Sequence, residues 1–320
     1  MSTPLPPELL LEVFAHLESV DPREPKGPEH PSLKAASLVC RAWRDPAQTT
    51  LWHLGAALDG QGEVEQWIKT RSRRRQGPKE LLIYDVKDDE VLKRLWNEVH
   101  GIERLSVVSP VTRMSASTFD HPALADVTDL ILYAELEPSD PTTTLRFRLR
   151  RLVVADSGLQ TRHQASFISS LSRNREWASD MKYLSLSTVA ASAHRAVAES
   201  ILPFAGPNLL HLGLSIGRHH DATPYVDVLR SATRLRSFEC TSLPVPLLVN
   251  LPTSLRGLAT KEEPRSIPIR EFSKALERLT RIDRLYISCL RKEFEALEGA
   301  EQLVEKMEKR GIERHFSEDY

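Results

Sequence analysis

A short apolar motif recurs along most of the chain, and it constrains the possible fold more than any other feature of the sequence. Most copies read Φ-x-x-L-x-Φ, where Φ is an apolar residue. The copies are ELLIYDV (80–86), IERLSVV (102–108), VTDLILY (127–133), LRRLVVA (149–155), MKYLSLS (181–187), LLHLGLS (209–215), LRSFECT (235–241), LRGLATK (255–261) and IDRLYIS (282–288). From residue 102 onward, successive copies begin 25, 22, 32, 28, 26, 20 and 27 residues apart. Because side chains alternate between the two faces of a strand, each copy predicts a short strand with one apolar face.

The stretches between these copies supply the other half of each unit. Segments such as SASTFDHPAL and AHRAVAESILPFA carry Phe, Leu or Val that can pack against the strands. A single strand with its helical or irregular segment could not bury its apolar face alone. The pattern therefore predicts an α/β solenoid, with parallel strands on the concave face and helices outside.

The motif and its spacing resemble leucine-rich repeats, which have a period of about 20–29 residues. Repeats of that family usually carry Asn or Cys eight positions after the first leucine. Here those positions hold Pro110, Glu135, Ser157, Val189, Gly217, Leu243, Glu263 and Leu290. The resemblance thus implies a degenerate leucine-rich-repeat solenoid over residues 79–297. A capping helix and a solvated tail are expected to cover its last repeat at 298–320.

The first 55 residues follow a helical pattern instead. The dipeptide Pro6-Pro7 favours a helix start, because proline in the first turn loses no hydrogen bond. Apolar residues then recur at helical spacing at Leu9, Leu10, Val13, Phe14 and Leu17. A second helix is expected after Ser32, and a third from Asp45-Pro46. Three short helices bury little area, so their apolar surface predicts a protein-binding patch.

In this order, LPPELLLEVF, SLVCRAWR and LW resemble an F-box, the helical module that docks substrate receptors onto SCF ubiquitin ligases. The matching residues are Leu5, Pro6, Glu8, Leu9, Leu10, Val13, Phe14, Leu17, Val39, Cys40, Arg41 and Trp43. The loop ESVDPREPKGPEHP between the first two helices is longer than is usual in this family. The resemblance implies a three-helix F-box at 1–55, which binds a Skp-type adaptor and, through it, a cullin–RING complex.

The residues that match the family's adaptor-binding surface are Leu5, Pro6, Leu9, Leu10, Val13, Phe14, Val39 and Trp43. The resemblance implies that Val39 and Trp43 are shared between this surface and the core of the module. It places Cys40 in that core.

Composition and charge narrow the list of partners and compartments. The formal net charge of -1 gives no reason to expect nucleic acid or an anionic membrane as partner. The N-terminus lacks the features of a signal peptide, and no run approaches the ~20 apolar residues that span a bilayer. Three widely separated cysteines fit a reducing compartment, so a cytoplasmic or nuclear location is expected. The basic cluster at 69–75 lies in a segment, 56–78, that is expected to be a linker or helix. Two interpretations stay open: the cluster is part of a solvated linker, or it is a nuclear import signal.

No constellation of residues points to catalysis. His219, His220 and Asp221 are clustered, but no second ligand pair lies at a recognisable spacing, so a solvated loop is favoured over a metal site. No nucleotide-binding or hydrolase motif appears. Cys240 and Cys289 fall inside strand patterns and are expected to be buried. We therefore expect no enzyme activity, no cofactor and no metal.

The strand residues opposite the apolar face are expected to form the receptor surface. Most of them are small and neutral, and the larger ones are Tyr133, Glu239 and Tyr286. The resemblance to F-box proteins with leucine-rich repeats implies the substrate-recognition subunit of an SCF-type ubiquitin ligase, with an unknown protein substrate. Two alternatives stay open: an F-box scaffold that delivers nothing for ubiquitination, and a non-catalytic repeat scaffold whose helical cap never meets an adaptor.

Overall fold

Parallel strands in chain order form the main body of the protein. The computed structural model describes residues 10, 31–40, 43–44, 46–48, 50, 55–71, 77–137, 140, 143, 145–155, 167, 169–171, 179–187, 199, 201–216, 221–261 and 263–316. The strands in these ranges are β1 Gly55–Asp59, β2 Glu80–Tyr84, β3 Arg104–Met114, β4 Asp129–Leu136, β5 Arg151–Ala155, β6 Tyr183–Ser187, β7 His211–Leu214, β8 Ser237–Cys240, β9 Gly257–Thr260, β10 Arg284–Ile287 and β11 Glu313–Phe316. They form one sheet of 11 strands, β1 to β11 in sequence order, and every neighbouring pair is parallel. The sheet is not closed, because β1 and β11 lie at opposite edges.

All of the motif copies contain a strand. The copies at 80–86 to 282–288 correspond in order to β2 to β10, and each strand pairs with the strand of the next copy. The predicted class, a mixed α/β chain with a repeated parallel sheet, is therefore confirmed. An open sheet that advances by one strand per unit is consistent with a solenoid-like repeat.

The two faces of the sheet have different environments, as β5 illustrates. Leu152 and Val154 are buried, whereas Arg151, Val153 and Ala155 are partly exposed. This is the alternation that the motif predicts. We call the partly exposed side the open face.

Helices and loops connect the strands and contribute to the buried layer. The α-helices in the described ranges are α1 Pro31–Val39, α2 Gly60–Arg71, α3 Asp89–Glu98, α4 Leu202–Ala205, α5 Thr223–Ser231, α6 Val245–Leu248, α7 Ile269–Arg278, α8 Arg291–Glu295 and α9 Ala300–Lys309. The 3-10 helices there are Ala116–Phe119, Pro122–Leu124, Gly206–Asn208 and Pro264–Ser266. One continuous apolar core runs from Ala56 in β1 to Phe316 in β11. Within the described ranges, no helix combines the length and the apolarity needed to cross a lipid bilayer.

Helix α3 packs against the following unit and is hydrogen-bonded to it. The Asp88 side chain accepts a hydrogen bond from the Glu90 amide, 2.9 Å away, and so caps the first turn. Leu95 and Trp96 are fully buried on its inner face. The Trp96 indole Nε1 donates to the Thr118 carbonyl oxygen at 2.8 Å, which ties α3 to the following 3-10 helix.

Arginines bridge consecutive units near the C-terminal end of the sheet. Arg278, the last residue of α7, donates from its guanidinium to the Leu248 carbonyl oxygen at the end of α6, 3.0 Å away. Arg310, directly after α9, donates in the same way to the Leu279 carbonyl oxygen, 2.6 Å away. Helix ends leave carbonyl groups without intrahelical partners. In these units an arginine from the next unit satisfies such groups.

The sheet extends beyond the motif copies at both ends. The segment 56–78, expected to be a linker or helix, contributes most of β1 and all of α2, so the sheet begins at Gly55. At the other end, the predicted capping helix corresponds to α9. The chain after α9, expected to be a solvated tail, adds β11 to the edge of β10 before residue 316.

Candidate protein-binding surfaces

The N-terminal helical segment has a small core of its own. Leu10, Ala36 and Ala47 are buried against one another, and Trp43 packs against them while half-buried. The Thr50 hydroxyl donates to the Pro46 carbonyl oxygen at 3.0 Å, which satisfies its buried side chain. Among the described residues, this cluster is separate from the core of the sheet.

Two neighbouring aliphatic side chains project from this segment into solvent. Leu38 is 81% exposed and Val39 is 63% exposed, at the end of α1. Cys40 beside them is also exposed, so the prediction that it lies in the core of the module is wrong. The helix that carries Ala36 into the small core ends at Val39, so Cys40 lies beyond it.

The predicted adaptor-contacting residues that the structure describes differ in solvent exposure. Leu10 is buried in the small core, Trp43 is half-buried beside it, and Val39 is on the surface. The others, Leu5, Pro6, Leu9, Val13 and Phe14, lie outside the described residues. Leu38, which sequence reasoning did not include, adds a second aliphatic group next to Val39. Its position next to Val39 in the motif was the available signal.

The open face of the sheet carries a row of large polar side chains. Residues at the first position of successive strands lie side by side, as the parallel register requires. From β5 to β10 this row is Arg151, Tyr183, His211, Ser237, Gly257 and Arg284. The row therefore has a gap, where Ser237 and Gly257 lie between larger neighbours.

On one side of the gap the side chains stack. The Arg151 guanidinium carbon lies 4.7 Å from the centre of the Tyr183 ring. The rings of Tyr183 and His211 are 4.0 Å apart, and their planes differ by 6°. Such contacts combine cation–π attraction with ring stacking, so they fix these three side chains across β5, β6 and β7.

Burial of this stack keeps the His211 and Tyr183 side chains uncharged at neutral pH. Removal from water lowers the pKa of His211 to about 4, and it raises the pKa of the Tyr183 hydroxyl above its usual value. His211 is therefore a neutral imidazole at pH 7. Its Nε2 atom is buried and has no hydrogen-bond partner among the described residues.

The gap forms the floor of a groove of about 540 Å3 that crosses β7 to β11, which we call the basic groove. Ser237, Gly257 and Ala259 are its small residues, and the larger ones include His211, Arg284, Tyr286 and His315. Arg236 and Arg256 line the end at which β8 and β9 begin. Small residues next to large ones on neighbouring strands thus create the concavity.

The arginines of the basic groove differ in their pairing. Arg284 lies 3.4 Å from a carboxylate oxygen of Asp283. Within the part of the chain that the structure describes, Arg236 and Arg256 form no ion pair or side-chain hydrogen bond, and both are exposed. The two arginines are neighbours at one end of the groove, and Asp283 is the neighbour of Arg256 on the next strand.

Two of the three substrate anchors predicted from the sequence lie near each other. Tyr286 lines the basic groove. Glu239 lies in the same row as Tyr286, with Ala259 of β9 between them, and it pairs with Lys261 at 3.0 Å. Tyr133 is 38% exposed on β4, in another part of the open face. Sequence reasoning missed Arg236, Arg256 and the row at the first strand position. For the row the signal was present, since the residue before each motif leucine shares a face with the residue after it. Arg236 and Arg256 lie one residue earlier, outside the strands, where alternation predicts no face.

Other candidate chemistry is only partly described. Cys240 and Cys289 are buried, as predicted. His219 and His220 lie outside the described residues, and the Asp221 carboxylate accepts a hydrogen bond from the Thr223 amide at 2.9 Å. Among the described residues, no group of three His, Cys, Asp or Glu side chains is placed to hold a metal ion.

Comparison with known proteins identifies the N-terminal segment. The family described as F-box-like matches residues 4–54, which include the small core and the exposed Leu38 and Val39. A search of curated proteins found no match to the chain. F-box domains typically bind Skp-type adaptors. The protein therefore carries an F-box-like domain at its N-terminus, followed by an open repeated α/β sheet.

Proposed function

We propose that this protein is the substrate-recognition subunit of an SCF-type cullin–RING ubiquitin ligase. The observation that carries the proposal is the F-box-like match at residues 4–54. In this role the F-box binds a Skp-type adaptor, which links the chain to a cullin and its RING protein. The sheet domain, which we take to be a degenerate leucine-rich-repeat solenoid, binds the protein substrate.

The exposed aliphatic pair of the F-box supports adaptor binding. Leu38 and Val39 are adjacent, and both are largely exposed at the end of α1. Exposed apolar surface costs free energy in water, and contact with a partner recovers it. The small core formed by Leu10, Ala36 and Ala47 leaves these two side chains available for that contact.

The sheet domain supplies an extended surface for the substrate. Its 11 parallel strands place the rows of the open face side by side, and the basic groove crosses five of them. Repeat proteins commonly use such surfaces to bind other proteins. The protein acts without catalytic residues of its own, because holding a substrate near the charged E2 raises the effective concentration of the reacting groups. We propose that it acts in the cytoplasm, the nucleus or both.

The first test is co-purification of the full chain with a Skp-type adaptor. We expect a stoichiometric complex with wild type and none with the double variant Pro6→Ala/Leu9→Ala, which truncates two residues of the F-box motif. Truncated anchors at interface hot spots cost about 2 kcal/mol or more each. The control is Val249→Ser, which changes a side chain 53% exposed in the sheet domain and should bind normally.

The result of this test also decides between the alternatives. If the wild-type chain binds no adaptor, the receptor role is wrong, and the protein is a repeat scaffold with a helical cap. If it binds the adaptor and a partner, yet the ligase never modifies that partner, the protein is an F-box scaffold. Reconstituted ubiquitination of a captured partner by the complete ligase supports the receptor role.

A further inference from the structure

A second concavity, of about 670 Å3, lies on the helical side of the sheet domain, and we call it the helix cleft. One wall belongs to α7 and to the segment directly before it, and the other wall is formed by residues 297–299 and the first turn of α9. Its described lining residues all lie in helices and loops, so the helix cleft is distinct from the open face. The volume is within the range of about 300–1,000 Å3 that is usual for ligand sites.

The buried part of this lining is aliphatic. Ile267, Ile269 and Leu297 contribute to it. Ile267 is 7% exposed, whereas Ile269 and Leu297 are half-buried and pack against the main core. The two walls meet where Gly299 lies close to Ile269, since a Cβ added at Gly299 would be 3.5 Å from the Ile269 Cγ2 atom. Apolar side chains of a partner can therefore cover the exposed parts of Ile269 and Leu297 and remove them from water.

The α7 wall carries three exposed cations, Arg265, Arg270 and Lys274. Arg270 and Lys274 are four residues apart, so they lie on the same side of α7. Within the part of the chain that the structure describes, none of the three forms an ion pair or a side-chain hydrogen bond. Glu271 is the carboxylate on this wall. The wall therefore has a net positive charge.

Other basic residues of the same units are engaged within the fold. Lys306 binds the Glu277 carboxylate at 2.6 Å and lowers its pKa, to which Lys274 adds from a longer distance. Arg278 and Arg310 donate to carbonyl oxygens of the preceding unit. These contacts stabilise the stacking of units, whereas the cations of the helix cleft contribute no such contact. The cleft cations are therefore available to a partner.

We propose that the helix cleft binds an amphipathic helix of a partner protein, with its apolar face on the aliphatic lining and acidic residues towards Arg270 and Lys274. Guanidinium and ammonium groups form charge-assisted hydrogen bonds with carboxylates. Glu298 and Gln302 line the opposite wall, so the other flank of the bound helix is neutral or basic. An extended peptide gains affinity from backbone hydrogen bonds to a strand edge, which this lining does not offer, whereas a helix satisfies its own backbone groups.

The test measures binding of fluorescent peptide libraries to the full chain by fluorescence polarisation. Each peptide has about 15 residues of helix-forming composition, with leucines at helical spacing on one face and glutamates along one edge of that face. One matched library has lysine in place of the glutamates, and another has serine in place of the leucines. We expect the glutamate library to bind at least about tenfold more tightly than either of the others.

A charge reversal keeps the result interpretable. The double variant Arg270→Glu/Lys274→Glu should weaken binding of the glutamate library about 30-fold, because two attractions become repulsions. The same variant should bind the lysine library more tightly than wild type does, which a misfolded chain could not do. Gln302→Trp, at an exposed position, fills the cleft and should abolish binding of the glutamate library. The control is Lys292→Glu, exposed on α8 outside the cleft, which should bind like wild type.

The outcomes separate this inference from the ligase role, because the helix cleft shares no residue with the F-box-like domain. Preference for the lysine library, or binding that Gln302→Trp leaves unchanged, overturns the proposal. A wild-type dimer that Gln302→Trp dissociates in sedimentation shows that a second copy occupies the cleft, and it overturns the partner assignment. So does tighter binding to phosphatidylserine vesicles with the same dependence on Arg270 and Lys274. Binding of the glutamate library by a chain that binds no adaptor supports the cleft and overturns only the ligase role.

Discussion

The F-box-like domain and the sheet domain deal with their apolar residues in opposite ways. In the sheet domain each unit covers the apolar face of its neighbour, so that one core runs from Ala56 to Phe316. In the described part of the F-box-like domain, the core is a small cluster around Leu10, and the neighbouring aliphatic residues Leu38 and Val39 remain exposed. Apolar residues therefore stabilise the fold where repeat units stack on one another. Where a short segment has no neighbouring unit to cover it, they indicate a surface that binds a partner.

The largest expected change in the free energy of unfolding comes from a substitution at Trp96 in the sheet domain. This indole is fully buried in α3 and donates to the Thr118 carbonyl oxygen. Trp96→Ala removes apolar contacts and leaves a cavity, so we expect a loss of about 4 kcal/mol in the free energy of unfolding. Urea unfolding followed by circular dichroism measures it. Tyr133→Ala, which removes a partly exposed ring from the open face, should cost much less. Equal losses would contradict the division between the two faces.

The second effect concerns the pH dependence of the sheet domain. Burial lowers the pKa of His211 from an ordinary 6.5 to about 4, although Glu239 nearby opposes the shift and Arg151 adds to it. Between pH 6.5 and 4 the unfolded chain binds a proton at this position that the folded chain does not. Stability therefore falls as the pH falls through this window, by up to about 3 kcal/mol. Below pH 4 the contribution of His211 stays constant.

The variant His211→Gln isolates this contribution, since other titrating groups are common to both proteins. The difference in unfolding free energy between wild type and variant should change in the variant's favour as the pH is lowered from 7 to 4. Glutamine keeps a polar side chain of similar length beside Tyr183. Parallel curves over that range would show that His211 takes up its proton equally in both states.

The strands of the sheet domain could be predicted because their information is local. The alternation of each motif leucine, such as Leu152 or Leu184, with its immediate neighbours shows which face of the strand is buried. The basic groove could not be predicted in the same way. Its shape depends on which residues of different units become neighbours, as Ser237 and Gly257 do beside His211. The register pairs the motif leucines of successive copies, so an alignment of the copies does give these neighbours. The volume of the groove depends on side chains from five strands together, and no single copy contains that information.

Hydrogen bonds between units were also beyond prediction from the sequence. Backbone groups at the ends of units need hydrogen-bond partners wherever they are buried. Arg278 and Arg310 supply such partners from the following unit, through contacts about 30 residues apart in the chain. No motif of fixed spacing records such long-range contacts. The exposure of Cys40 was mispredicted because the family resemblance assigns this position to the core, whereas helix α1 ends one residue before it.

The third effect tests the other side of the comparison, in the F-box-like domain. The double variant Leu38→Ser/Val39→Ser removes exposed aliphatic surface, so the unfolding free energy of the chain should change by no more than about 0.5 kcal/mol. Its affinity for a Skp-type adaptor should fall by about 2 kcal/mol, or about 30-fold, as measured by calorimetry. Val249→Ser is the matched control. Normal adaptor affinity together with a large loss of stability would reverse the roles that we assign to the two regions.

The smallest expected effect concerns two glycines of the sheet domain, Gly213 and Gly257. Neighbouring strands leave little room beside one of them on the open face. A Cβ added at Gly213 would lie 2.8 Å from the Ser185 Oγ, whereas at Gly257 the nearest atom is 3.7 Å away. Gly213→Ala should therefore cost about 1 kcal/mol through overpacking, and Gly257→Ala should be neutral or slightly stabilising. Adding Ser185→Ala to Gly213→Ala should recover part of the loss, because it removes the atom in closest contact. A double-mutant cycle from thermal unfolding measures this coupling. Additive losses would show that the cost of Gly213→Ala arises from the backbone and not from crowding between β6 and β7.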